Sequence, residues 1–221
     1  RSCSANYHRD CYILKMDIQG YFMNLDKDIL FSKLTGVLRR YEHLLDVPWD
    51  FLFYLLRMIV FHNPVANCRL RGNSRDWEDL PRDKSLFYTA KGKGLPIGNL
   101  TSQLFGNVYL NDLDHYIKYG LGCRYYGRYV DDLVVVSRNK EFLKQVKSQV
   151  DGYLRKNLCL NLHPRKVYLQ HFSKGVNFLG VYIKPYRKYL RRSTVNNLYS
   201  RVPERQTLKE LQPTVNSYFG I

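Results

Sequence analysis

The segment RYVDDLVVV, residues 128–136, sets Asp131 and Asp132 side by side between a tyrosine–valine pair and a run of β-branched apolar residues. Adjacent carboxylates repel one another. One reading is a solvated hairpin turn, where Asp is common. The other is a cation site, because a multivalent metal stabilises close carboxylates at neutral pH. An Asp-Asp dipeptide alone does not decide between them. A third carboxylate, Asp17, closes the apolar run YILKMD at residues 12–17. Taken alone, it reads as a strand-end Asp facing a helix N-terminus. If the two strands are neighbours in one sheet, three carboxylates meet at one edge. Such a set suits two Mg²⁺ ions held by oxygen ligands, with Mn²⁺ as an alternative. Two ions roughly 3.5–4 Å apart clamp the attacking and leaving oxygens of a phosphoryl transfer.

The elements that must carry these residues follow from periodicity. Residues 12–22 open as a strand that ends at Asp17, and 24–42 read as a helix capped by Asn24 or Asp26. That helix puts Ile29, Leu30, Leu34, Val37 and Leu38 on one face. Residues 48–62 are apolar nearly all round, which predicts a buried helix. Residues 63–94 show no clean period and read as a long functional loop or a small irregular subdomain. A helix follows over 99–120 with Leu100, Leu104, Val108, Leu113 and Ile117 inward, leaving through Gly120 and Gly122. The Asp pair then lies in the turn of a hairpin between 123–130 and 133–137. Asn139 caps an amphipathic helix over 139–157, marked by Phe142, Val146, Val150 and Leu154. Residues 158–172 and 176–185 read as strands. From Lys184 to Lys209 a helix-like stretch holds eight basic residues and one acidic residue. Strands and helices mix without strict alternation, so the expected class is α+β, an antiparallel sheet with helices packed on one face.

Composition narrows the partners. The 221 residues are 45% hydrophobic and 24% charged, an ordinary globular balance. Lys and Arg outnumber Asp and Glu by 35 to 19, giving a net charge of +16 and a pI near 9.7. A chain this basic is expected to meet a polyanion, with nucleic acid the leading class. The five cysteines form no C-x-x-C pair, and Cys3, His8 and Cys11 lack a second ligand pair for zinc. A reduced, cytoplasmic protein is expected. No apolar run reaches the length of a membrane span, and no signal peptide opens the chain.

KMDIQGYF, GLPIGNLTSQ, YVDD, LHPRK and FLG stand in the order of the palm motifs of reverse transcriptases, across roughly residues 12–183. On these five motifs the chain resembles that family. The resemblance implies a polymerase palm with partial fingers and the start of a thumb. It implies RNA-directed DNA synthesis from an RNA template, a DNA primer and deoxynucleoside triphosphates. Residue by residue, it makes Asp17, Asp131 and Asp132 the metal ligands. Phe22, five residues after Asp17, falls where the family keeps an aromatic gate against the ribose 2′-hydroxyl. Lys166 matches a lysine placed near the triphosphate, able to neutralise or protonate the leaving pyrophosphate. Ile97, Gly98 and Gln103 fall beside the incoming nucleotide, and Phe178, Leu179 and Gly180 in the primer grip.

Ile97 stands where many reverse transcriptases have Gln, and Ser102-Gln103 where many have Ser-Pro. With DWEDLPRDKSLF (76–87), these features are similar to the bacterial and phage enzymes of diversity-generating retroelements. That family copies a template repeat with errors at adenines and usually works with a basic accessory protein. CRISPR-associated and other group II intron-like reverse transcriptases share much of the pattern, and a non-catalytic nucleic-acid-binding relic is the contrasting class. The family's N-terminal fingers strands have no counterpart here and the chain begins at Arg1, so a palm-centred fragment is expected. Its segments would be 1–62 (palm and fingers with the first catalytic Asp), 63–98 (fingers-side loop), 99–186 (palm with hairpin and primer grip) and 187–221 (start of thumb). The basic Lys184–Lys209 stretch would lie along the duplex backbone.

Overall fold

The computed structural model describes residues 1–66, 68–69, 73, 80–202, 207, 209, 211–213 and 216. Residues 76–79 of the DWEDLPRDKSLF segment lie outside the described residues. So do 203–206, 208 and most positions after 209 in the segment read as the start of a thumb.

The centre is a four-stranded sheet. β1 (Tyr12–Asp17) lies between β3 (Asp132–Ser137) and β4 (Tyr168–His171), and β2 (Tyr125–Tyr129) pairs with β3 on the outside. All three pairings are antiparallel. The period of two sorts the side chains. Leu14 and Met16 of β1 and Leu133 and Val135 of β3 are fully buried, while Lys15, Asp17 and Asp132 share the opposite, open face. A slip of one residue would bury the carboxylates and expose Met16, so the apolar pattern fixes the register that places the site.

Helices cover the apolar face. α1 (Tyr21–Asn24) is a single turn, and α2 (Lys27–Arg40) starts at Asp26, whose carboxylate accepts from the Asp28 and Ile29 amides. α3 (Trp49–Phe61) packs on α2. α4 (Leu100–His115) runs on through a wider turn over Tyr116–Gly120, and α5 (Lys140–Leu158) is capped by Asn139, which accepts from the Phe142 amide. α5 lies against β1 and β3, and α4 lies between α5 and α2. Leu143, Val146, Val150, Leu154 and Leu158 form the buried stripe of α5. Each such side chain contributes about 1.5–3 kcal/mol relative to exposure. β5 (Val176–Phe178), β6 (Val181–Lys184) and β7 (Arg187–Leu190) make a second antiparallel sheet, followed by α6 (Arg192–Arg201).

Several elements depart from the sequence reading. α3 is not buried all round: only Leu56 and Val60 are buried, while Phe51, Tyr54, Met58 and Ile59 are exposed. On α4 the inward row is Phe105, Tyr109 and Leu113, and Leu100 and Leu104 face outward. Residues 176–185 form two strands, not one. Leu179 and Gly180 both take positive φ (51° and 78°), the two-residue turn whose twist suits a hairpin. α5 extends to Leu158, so the strand expected over 158–172 shrinks to β4. The stretch from Lys184 opens with strand β7 before α6. Among the described residues no helix is long and apolar enough to cross a membrane.

Candidate active site

Asp17 and Asp132 are directly opposite one another across β1 and β3, on the open face of the sheet. Like charges so placed repel and must be compensated. Lysines supply that compensation. Lys166 Nζ bonds Asp17 Oδ2 at 3.0 Å, and Lys15 Nζ stands 2.8 Å from Asp132 Oδ1. Asp131 sits in the two-residue turn between β2 and β3, and its carbonyl accepts from the Ile18 amide at 3.3 Å. Burial above all, then the charges of Asp17 and Asp132, raise its carboxyl above the usual range, against the lowering effect of its own backbone amide and of Lys166. The strands are therefore neighbours, as the sequence reading required. The carboxylates are not drawn into one tight cluster: among the described residues, no three His, Cys, Asp or Glu side chains stand ready to hold a metal as placed.

The site nonetheless fits a divalent cation. Asp132 Oδ1 is shielded from solvent, and its close partner is the Lys15 ammonium at 2.8 Å, which also donates to the Asn177 carbonyl at 3.2 Å. A shielded carboxylate oxygen whose charge is met by a single ammonium retains lone pairs for a hard, oxygen-seeking ion. Lys15 was not singled out in the sequence. It links β1, Asp132 and the turn-forming β5, where it also lies 5.7 Å from the Phe178 ring centroid.

Local chain geometry delivers the other residues. The His163 amide donates to the Asp17 carbonyl at 2.7 Å, and the Lys166 amide to the His163 carbonyl at 3.2 Å. The LHPRK turn is thus pinned to β1, and its lysine reaches the carboxylate of the same residue. The Leu95 amide donates to the Phe22 carbonyl at 2.8 Å, which lays the GLPIG segment beside α1. Gly98 has φ +100°, a conformation that L side chains rarely adopt. The result is a pocket of about 420 Å³ lined by Phe22, Ile97, Gly98, Ser102, Gln103, Asn107, Arg128, Tyr129 and Val130. All four residues read as nucleotide-binding meet there. Ile97 is 66% exposed into it, so its side chain is no core-packing element. Phe178, Leu179 and Gly180 lie apart, at the turn of the β5–β6 hairpin.

Val130, at the turn, has φ +55°. A β-branched residue there carries roughly 1–2 kcal/mol of backbone strain, a reserve that accumulates at functional sites. Arg128 and Asn107, which line the pocket, were also missed, because their meaning depends on partners on another element.

The family described as "Reverse transcriptase (RNA-dependent DNA polymerase)" matches residues 1–183. No curated protein matches in sequence. Among solved structures, apo telomerase from Candida tropicalis truncated from its C-terminal domain is similar at TM-score 0.58 and 14% identity, over 82% of this chain and 35% of that one. Telomerase from Candida tropicalis in complex with a TWJ fragment of telomeric RNA gives TM-score 0.59 and 14% identity, over 96% and 38%. The corresponding Candida albicans complex gives 0.51 and 13%, over 98% and 40%. The chain spans less than half the length of these structures, and the likeness shows the fold: a mixed antiparallel sheet and helix architecture.

Proposed function

The chain belongs to the reverse transcriptase (RNA-dependent DNA polymerase) family, and from that premise we propose that it copies an RNA template into cDNA, extending a DNA primer with deoxynucleotides. The observation that carries this reading is the facing pair Asp17 and Asp132 with Asp131 in the adjoining turn, beside a pocket lined by Phe22, Ile97, Gly98 and Gln103. Two Mg²⁺ ions held by these three carboxylates, or Mn²⁺ in their place, would activate the primer 3′-hydroxyl and neutralise the departing pyrophosphate. The protein's own share is positioning and charge. Phe22 closes the pocket wall against a 2′-hydroxyl. Lys166 is 55% exposed and tied only at its tip, so it can swing to the triphosphate and give a proton to the leaving group. Phe178, Leu179 and Gly180 offer a hairpin turn to hold the primer end. The direct test is incorporation of labelled dTTP on oligo(dT) annealed to poly(rA). Incorporation that requires the RNA template supports the proposal, and its absence in the intact protein contradicts it.

The finer assignment is to the error-prone enzymes of diversity-generating retroelements. Its support is Ile97, an exposed apolar side chain at the pocket where Gln would offer hydrogen bonds to a nucleotide. A pocket without those groups discriminates less. Ile97→Gln is expected to lower misincorporation opposite template adenine, read by sequencing the cDNA. An unchanged adenine error spectrum would remove the support.

A further inference from the structure

Arg128 sits on β2, two residues before the left-handed Val130. Its side chain is nearly buried, at 10% exposure, and makes four hydrogen bonds. Nε and Nη2 donate to the two oxygens of Asp114 at 2.8 and 2.6 Å, a bidentate ion pair. Nη1 donates to Asn107 Oδ1 at 3.2 Å and to the Val130 carbonyl at 2.9 Å. The Tyr126 hydroxyl donates to Asp114 Oδ1 at 2.5 Å and steadies the acceptor. Asn107 and Asp114 both belong to α4, about two helical turns apart and so on one face. One guanidinium thus fastens the carbonyl of a strained turn to a 16-residue helix.

We propose that Arg128 is the positioning residue of the carboxylate turn, holding Val130 in its left-handed conformation so that Asp131 and Asp132 present their oxygens from a fixed direction. The inference rests on the polymerase reading of the same site. The planar fork of Arg is what the geometry uses. It engages a carboxylate with two parallel bonds and still has a third nitrogen for the carbonyl, which a lysine ammonium cannot match. Asp114 is consumed by this pair and by Tyr126, so it is a support and not a further metal ligand. Misplacement of reacting groups by about 1 Å is enough to cost a hundredfold in rate.

Arg128 also lines the pocket, so it could instead touch the substrate directly. Asp114 separates the two roles, because it does not line that pocket and reaches the turn through Arg128. Arg128→Lys, Asp114→Asn and the double variant are compared in the intact protein by two readouts: kcat and KM for dNTP in Mg²⁺, and amide hydrogen exchange in metal-free buffer. Each single variant is expected to lower kcat about tenfold or more with KM nearly unchanged. Each should speed exchange at Asp131, Asp132 and Ile18 and leave α5 as in the wild type. The double variant should be no worse than the worse single, since both changes break one unit. Wild-type kcat and turn exchange in Asp114→Asn would overturn the proposal, as would a rise in KM alone in Arg128→Lys. If Asp114→Asn does not fold, Tyr126→Phe carries the test: a smaller fall in kcat with faster turn exchange supports it, and no change overturns it. If the wild type extends no primer, the polymerase reading falls, and metal-free exchange alone decides whether Arg128 holds the turn.

Discussion

At Asp131 stability and chemistry pull in opposite directions. Its carboxyl is raised above the ordinary Asp value of 3.8, chiefly by burial and then by Asp17 and Asp132. The folded state therefore holds the proton more tightly than the unfolded chain does. Ionisation at pH 7 costs stability, and the cost fades as pH falls through the folded pKa toward 3.8. Asp131→Asn is expected to melt above the wild type at pH 7, with the margin shrinking on acidification. Thermal melts at pH 7 and pH 4 check this, and a lower Tm at pH 7 would make the carboxylate a structural group. Phe22 lines the pocket beside the carboxylate turn and packs against Tyr21 at a ring-centroid distance of 5.2 Å. Phe22→Ala should admit ribonucleotides more readily, because the ring that meets a 2′-hydroxyl is gone. The ratio of rNTP to dNTP incorporation measures it, and an unmoved ratio would make Phe22 a packing residue. Asp17, Asp131, Asp132, Phe22 and Lys166 were legible as candidates because they stand in short, ordered motifs. Lys15 was not, since it meets the Asn177 carbonyl 162 positions away. Arg128 was not, since its acceptors lie on α4.

At the scale of elements, apolar spacing located the helices and strands and was weaker on which face turns inward. α4 carries two apolar rows of equal period, Leu100–Leu104–Val108 and Phe105–Tyr109–Leu113. Periodicity cannot rank them. The aromatic row buries more area, and the Tyr109 hydroxyl finds the Leu158 carbonyl at 2.7 Å across the helix pair. Leu104, 60% exposed, should therefore tolerate Ser within about 0.5 kcal/mol. Tyr109→Ala should cost about 3–5 kcal/mol. Urea denaturation of the two variants distinguishes the faces, and a large loss at Leu104 would mean that α4 is turned the other way. α3 was misjudged because an all-apolar helix looks the same whether it is buried or presents an apolar patch. The β5–β6 hairpin was missed because its turn puts Leu179 at positive φ, where Gly or Asn is the usual signal.

Over the whole molecule the charge is the clearest signal in the sequence. Arg187, Lys188, Arg191 and Arg192 are exposed on β7 and at the start of α6, with Tyr186, Tyr189 and Tyr199 exposed among them. Basic groups interleaved with aromatics suit a nucleic-acid backbone and its bases. Affinity for an RNA/DNA duplex should fall linearly on a log–log plot against salt, by roughly a thousandfold between 50 and 200 mM. Salt-independent binding would undo the electrostatic account of the +16 charge. The five ordered motifs and the mixed succession of strands and helices made the α+β fold and the carboxylate site readable. The lysine and arginine tethers that orient the site needed the third dimension. Asp17, Asp131 and Asp132 are proposed to drive nucleotidyl transfer together. The most direct measurement is single-turnover extension of a DNA primer on an RNA template in Mg²⁺ by the intact wild type and Asp131→Asn, both shown folded by circular dichroism. The expected result is extension by the wild type and none above background by the variant. Extension by Asp131→Asn at a rate near that of the wild type would contradict the claim.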